Sequence, residues 1–146
     1  MPANPVAVPA HVLPHRSPSE LLRLARQGLD EAARTSQDGL RYATAHLAAL
    51  RAAAAVLAVR AQPVPGVRNR VTSVWALLIR VAPELGEWAG FFAAGAAKRA
   101  AAEAGIPRVV SARDADDLLR AAEQFTALVE ASLGQTHQPA LVSAAA

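Results

Sequence analysis

The sequence predicts an all-α domain, an antiparallel up-and-down bundle of four helices with the third helix broken near Pro83. Three observations carry that expectation. Alanine supplies about a quarter of the 146 residues, and alanine is the best helix former because it loses no side-chain freedom. Apolar residues recur at helical spacing in four stretches. Prolines and glycines mostly fall between those stretches, and neither strand-like alternation nor an internal repeat is visible.

The elements follow in order. Residues 1–16 read as a disordered, proline-rich arm, the helical domain as 17–134, and residues 135–146 as a disordered tail. Ser17-Pro18-Ser19-Glu20 announces the first helix with a hydroxyl cap, a proline at the first helical position and a carboxylate at the third. Leu21, Leu22, Ala25, Leu29, Ala32 and Ala33 form its apolar face, and Gly28 on that face admits a close neighbour. Asp38 is placed to cap the second helix, which Pro63 ends. Its expected stripe is Leu40, Ala43, Leu47, Leu50, Ala54 and Leu57. The remaining faces are mostly Ala and Val, so this helix should be central and wrapped on nearly every side.

After a loop containing Pro63, Pro65 and Gly66, a third helical region opens near Thr72 or Ser73 with Val74, Trp75, Leu78 and Val81 inward. Pro83 interrupts it, because a proline inside a helix removes a hydrogen bond and clashes with the preceding turn. The segment from Pro83 to Gly105 turns Leu85, Trp88, Ala89, Phe92 and Ala96 one way. Gly86, Gly90 and Ala94 form a small ridge that would admit a partner helix. Ser111 caps the last helix with Asp114 three residues on. Leu118, Ala121, Ala122, Phe125, Val129 and Leu133 form its core stripe, and Gly134 stops it.

Charge is unevenly distributed. Residues 16–40 balance, with four arginines against four acids. Residues 41–113 carry nine arginines and Lys98 against three glutamates, a net of +7, whereas residues 114–146 carry Arg120 against five acids, a net of −4. That asymmetry is either a polyanion-binding face or two surfaces that complement each other within the bundle or a dimer. The preference for arginine over lysine fits phosphate recognition and equally fits the codon bias of a GC-rich genome.

Several classes are excluded. Without cysteine there is no disulfide, thiolate metal site or cysteine nucleophile. The longest charge-free helical run, Trp88 to Ala97, is about half the ~20 residues a bilayer needs. The five prolines of the first eighteen residues do not make a signal peptide. A cytoplasmic protein with no membrane contact is expected. His11, His15 and His137 are scattered through the arm and tail, so neither a metal site nor another cofactor is expected.

Three stretches together resemble the HEPN superfamily (higher eukaryotes and prokaryotes nucleotide-binding), and within it a small actinobacterial branch. They are Arg41-Tyr-Ala-Thr-Ala-His-Leu-Ala-Ala-Leu-Arg-Ala-Ala, the segment Ser73 to Gly105 around Trp75, Pro83, Trp88 and Phe91-Phe92, and Val110-Ser-Ala-Arg-Asp-Ala-Asp-Asp-Leu-Leu-Arg. The resemblance covers roughly residues 19–134. It implies an up-and-down bundle that often forms a homodimer, and work on RNA or nucleotides as metal-independent ribonucleases, toxins of toxin–antitoxin systems, or partners of nucleotidyltransferases. The ribonucleases it resembles carry an arginine and a histidine four to six residues apart near the start of the last helix. Here Arg113 is followed by Asp114, Asp116, Asp117 and Arg120, and no histidine appears before His137. That departure argues against ribonuclease activity.

Arg41 and His46 meet the spacing, but in the second helix. There His46 would serve as general acid or base, with Arg41 holding phosphate charge. Positions five apart on a helix diverge by about 140°, and a histidine at the edge of an apolar stripe is commonly a hydrogen-bonded boundary residue. Arg51, Arg60, Arg68, Arg70 and Arg80 are the candidates for a nucleic-acid face. The plain alternative is surface pairing with Glu84, Glu87 or the acidic last helix, and no aromatics interleave with these arginines as a single-strand platform requires. Trp75, Trp88, Phe91 and Phe92 read as packing, with adjacent Phe91 and Phe92 pointing apart so that one faces a partner chain. Three readings follow: a HEPN-like domain binding RNA or nucleotide without strong catalysis, a protein–protein interaction module, and a ribonuclease or toxin using Arg41 and His46.

Overall fold

The computed structural model describes residues 6–9, 16–64 and 73–134. The rest of the expected arm, the loop bearing Arg68 and Arg70, and the tail with His137 lie outside the described residues.

Helix α1 (Pro18–Ala33) starts as expected, the Ser17 hydroxyl accepting from the Glu20 amide. Helix α2 (Asp38–Arg60) follows after a short turn. Asp38 is not its cap: Gln37 holds that position without a side-chain bond, and the Asp38 carboxylate takes Arg41 at 3.0 Å instead. Helix α3 (Val74–Val81) is capped by Ser73 and gives way to a 3₁₀ turn at Pro83–Leu85. The segment expected to run on to Gly105 breaks a second time, giving α4 (Gly86–Ala94) and α5 (Ala96–Glu103). The join is Gly95, where an added Cβ would collide with the Tyr42 hydroxyl. Helix α6 (Ala112–Ser132) opens on a reciprocal Ser111–Asp114 capping box and ends before Gly134, whose φ of 74° suits glycine.

The helices alternate in direction. Arg41 at the start of α2 meets the first turns of α6, and Arg26 in α1 meets Glu130 near the end of α6. Helix α6 therefore runs with α2 and against α1. Gly39 faces Ala102, so the α3–α5 segment returns antiparallel to α2. The four-helix up-and-down bundle stands, its third member in three pieces.

Helix α2 is central, touching α1, α3, α5 and α6, but not through the expected stripe. Leu40 is 53% exposed and Leu47 37%, Leu50 and Ala54 are half-buried, and only Leu57 and Ala43 are buried as expected. The faces that pack are lined by Ala45, Ala48, Ala49, Ala52, Ala53 and Ala55, all fully buried. Four neighbours can crowd one helix only where its side chains are small, so the alanines take the contacts and the leucines move to the seam. Gly28 of α1 belongs to the same close packing: a Cβ there would stand 3.2 Å from that of Ala48. Ala33, expected on the apolar face of α1, is exposed. By length and composition α2 could also cross a membrane, yet most of that stretch is buried inside the fold.

A short parallel β-ribbon, which no strand-like pattern in the sequence announces, joins the bundle. Val6–Pro9 (β1) pairs in parallel with Ala61–Val64 (β2), Val6 opposite Ala61. The residue before a proline is pushed to extended backbone, and both strands contain such a residue, Val8 before Pro9 and Gln62 before Pro63. The ribbon adds a β-pair at the C-terminal end of α2; its first strand falls within residues 1–16, expected as a disordered arm, and its second in the stretch expected as the end of α2 and the following loop.

Candidate functional site

Arg41 lies in the first turns of α2 and is 9% exposed. One terminal nitrogen donates to the carbonyls of Thr35 and Ser36 at 3.1 and 3.0 Å. The other reaches Asp38 at 3.0 Å and Asp116 of α6 at 3.1 Å, with the Ala112 carbonyl at 3.4 Å. The guanidinium thus closes the α1–α2 turn and binds it to the start of α6. Engaged by three carbonyls and two carboxylates, it is not free to hold a phosphate.

His46 is the only histidine among the described residues and is fully buried. Its Nε2–H donates to the Phe92 carbonyl at 2.8 Å, which leaves the Nδ1 lone pair buried without a partner. The ring stacks on Tyr42 and meets Trp75 and Phe92 edge-on, with centroids 5.9–6.3 Å away. Burial pushes its pKa below the usual 6.5, the charge of Arg99 adds to that, and the Phe92 carbonyl and Glu103 oppose it. The imidazole lies inside the aromatic core. The structure therefore does not bring Arg41 and His46 to a common cleft: one anchors the bundle's end and the other packs beneath the α4–α5 join.

Tyr42 and Gly95 were not singled out in the sequence and complete this cluster. Tyr42, one turn before His46 on the same face, is buried, and that burial, followed by the charge of Asp114, raises its hydroxyl pKa. The (i, i+4) spacing of Tyr42 and His46 was the available signal.

The start of α6 is acidic and already paired. Asp114 caps the helix and takes Lys98 at 3.3 Å; the Ser111 amide, then Lys98, hold its carboxyl below the usual range. Asp117 sits between Arg113 and Arg120 at 3.8 and 3.5 Å. The basic middle of the chain and the acidic last helix thus meet through Arg41–Asp116 and Lys98–Asp114, as expected of surfaces that complement each other within the bundle.

Of the five arginines expected to form a nucleic-acid face, three lie among the described residues. Arg60 pairs with Glu84, Arg51 is half-buried on α2 and Arg80 is exposed on α3, while Arg68 and Arg70 lie outside the described residues. Trp75 and Phe92 are core, stacked at 5.1 Å, and Phe125 packs on both Phe92 and Trp88. Phe91, adjacent to fully buried Phe92, is 48% exposed. It borders a hollow of about 360 Å³ with Glu87, Trp88 and Ala121. No cluster of three or more metal-ligating side chains occurs among the described residues.

The family model described as SAV_6107-like HEPN matches residues 32–130, from the end of α1 nearly to the end of α6. The chain belongs to the HEPN superfamily. No curated protein and no solved structure matches it. In this HEPN bundle the first turns of α6 hold Arg113 and three aspartates, each aspartate with a partner: Lys98 for Asp114, Arg41 for Asp116, and Arg113 with Arg120 for Asp117.

Proposed function

We propose that this HEPN domain is a non-catalytic docking module that acts by binding a protein through its α4–α6 surface. The observation that carries the reading is a contrast. The two side chains with the right chemistry for RNA cleavage, Arg41 and His46, are engaged inside the bundle, while Phe91 stands open beside a hollow. General acid–base catalysis needs a group that reaches the substrate; an imidazole buried in the core and bonded to the Phe92 carbonyl does not. Incubation with single-stranded RNA should leave the RNA intact for wild type and for His46→Ala alike. Cleavage by wild type that disappears in His46→Ala would overturn the reading and restore the ribonuclease.

A second reading, binding of RNA or a nucleotide without cleavage, is favoured by Arg51 and Arg80, whose guanidiniums make no ion pair among the described residues. Phosphate binding weakens steeply as salt rises. RNA retention at low salt that falls several-fold between 50 and 200 mM, as about two phosphate contacts imply, and falls in Arg51→Ala/Arg80→Ala, would favour it over protein docking.

A further inference from the structure

We propose that the chain's own residues 139–142 (Pro-Ala-Leu-Val) fold back along α6 and seat Leu141 in the hollow beside Phe91. The surface is the one in the docking reading above. The regulatory consequence, that a protein partner must first displace this segment, rests on that reading.

The helices of the bundle leave this surface open. Adjacent residues on a helix point about 100° apart, so with Phe92 fully buried Phe91 is turned outward, 48% exposed. On α6, Ala121 lines the hollow next to it. From there a track runs to the C-terminal end of α6. Ala121, Gln124, Leu128 and Ala131 stand at i, i+3, i+7 and i+10, one face of the helix. All four are exposed or half-buried, and none is charged. One turn to the other side of Ala121 the row reaches Asp117, which pairs with Arg113 and Arg120. The uncharged track therefore starts where α6 ends and stops at the hollow.

The occupant follows from reach and charge. Along α6, Gly134 lies 13 residues past Ala121, about 20 Å at 1.5 Å per residue. Leu141 follows Gly134 by seven residues, about 23–25 Å in an extended chain. The two lengths match, and Leu141 is the first large apolar residue after Leu133. Gly134 has a φ of 74°, the left-handed helix ending after which a chain commonly contacts the turn it has just left. Pro139 disfavours helix and pushes the residue before it to extended backbone, as so direct a return requires. Residues 135–146 contain no Asp, Glu, Lys or Arg, so the segment brings no ionic group onto the uncharged track. Leu141 and Val142 are its large aliphatic side chains, and the hollow has room for one of them. Two such side chains suffice, because the tether makes the contact intramolecular at an effective concentration on the order of millimolar.

The chain has no cysteine, so Ser143→Cys carries a single nitroxide label beside the anchor in the full chain. In NMR spectra that label should broaden the amide signals of Phe91 and Ala121. Leu141→Asp in the labelled chain should lower the docked-to-free ratio at least about tenfold, which is what fully burying a leucine supplies, and restore both signals. Ala121→Arg, which fills the hollow, should restore that of Phe91. Tryptophan emission should shift to the red in Leu141→Asp, because Trp88 lines the hollow while Trp75 is buried. Signals of Phe91 and Ala121 untouched by the label overturn the proposal, as do broadening and emission that Leu141→Asp leaves unchanged. Equal broadening between a nitroxide-labelled chain and a separate isotope-labelled chain also overturns it, since the segment then docks on another copy. Should Ala121→Arg lose its fold, Leu141→Asp decides alone. A segment that stays off α4 and α6 sinks only this proposal, whereas RNA cleavage lost in His46→Ala sinks the docking reading wherever the segment lies.

Discussion

Arg41 at the start of α2 and Asp116 in the first turns of α6 meet at 3.1 Å, joining the first helical hairpin to the last helix at one end of the bundle. The two ends of that contact differ in setting: the Arg41 side chain is 10% exposed and that of Asp116 is 61%.

That asymmetry predicts unequal losses. Arg41→Ala strands the carbonyls of Thr35 and Ser36 as well as two carboxylates, and should lower stability by about 2–3 kcal/mol. Asp116→Ala removes an exposed partner and should cost under about 1 kcal/mol. Arg41→Lys should recover only part of the loss, because an ammonium cannot span the same fork of acceptors. Urea unfolding of the three variants measures this.

The histidine makes stability depend on pH. Burial depresses the folded-state pKa of His46 below 6.5, so the unfolded chain takes up a proton that the fold refuses. The contribution is complete above about pH 7 and is lost as pH falls below 6.5 toward the folded-state value, with a slope of at most about 1.4 kcal/mol per pH unit. Between pH 7 and 5.5 the stability of wild type should fall more steeply than that of His46→Phe. Equal slopes in chemical unfolding would show that the imidazole is not held neutral.

Gly95 and Tyr42 should be coupled. A Cβ at position 95 runs into the Tyr42 hydroxyl, so Gly95→Ala should destabilise by about 1–2 kcal/mol as an overpacked site. In a Tyr42→Phe background the same change should cost at least about 1 kcal/mol less. A thermodynamic double-mutant cycle reads the difference directly.

Arg26 and Glu130 form a two-pronged pair, Nε to Oε2 at 3.1 Å and a terminal nitrogen to Oε1 at 2.5 Å, with the Glu130 side chain 8% exposed. Glu130→Gln should lower stability by about 1.5–3 kcal/mol, since it weakens a charge-assisted bond in a nearly dry site. Arg26→Met/Glu130→Leu should do less harm than the single change, because a matched apolar pair leaves no charge unpaired. Thermal unfolding distinguishes the two outcomes.

The helices and three of their caps were legible because they are local, whereas Asp38 turns to Arg41 instead of capping α2. Ser17, Ser73 and Ser111 each stand one residue before a helix, and Pro83 breaks one where its missing amide demands. Which face of α2 turns inward was not legible. Hydrophobicity ranks leucine above alanine, so periodicity selected Leu40 and Leu47, while the bundle selects for the smallest side chains wherever four helices converge. The second break at Gly95 depends on Tyr42 arriving from another helix, a contact that spacing within α4 cannot reveal. For the site, the divergence of Arg41 and His46 followed from the helical angle alone. Their burial required the fold, since the acceptors of Arg41 lie in the preceding turn and in α6 and that of His46 lies in α4.

Helix α2 also has a consequence for how the chain is made. Its alanine-lined surface is finished with only α1 already there to cover one side, and α6 is complete only after about seventy more residues have been added. At roughly 5–20 residues per second, a greasy rod with a span-like composition emerges from the ribosome and waits several seconds for its last cover. Nascent chains stalled between α2 and α6 should therefore recruit a holding chaperone, and full-length release should dismiss it.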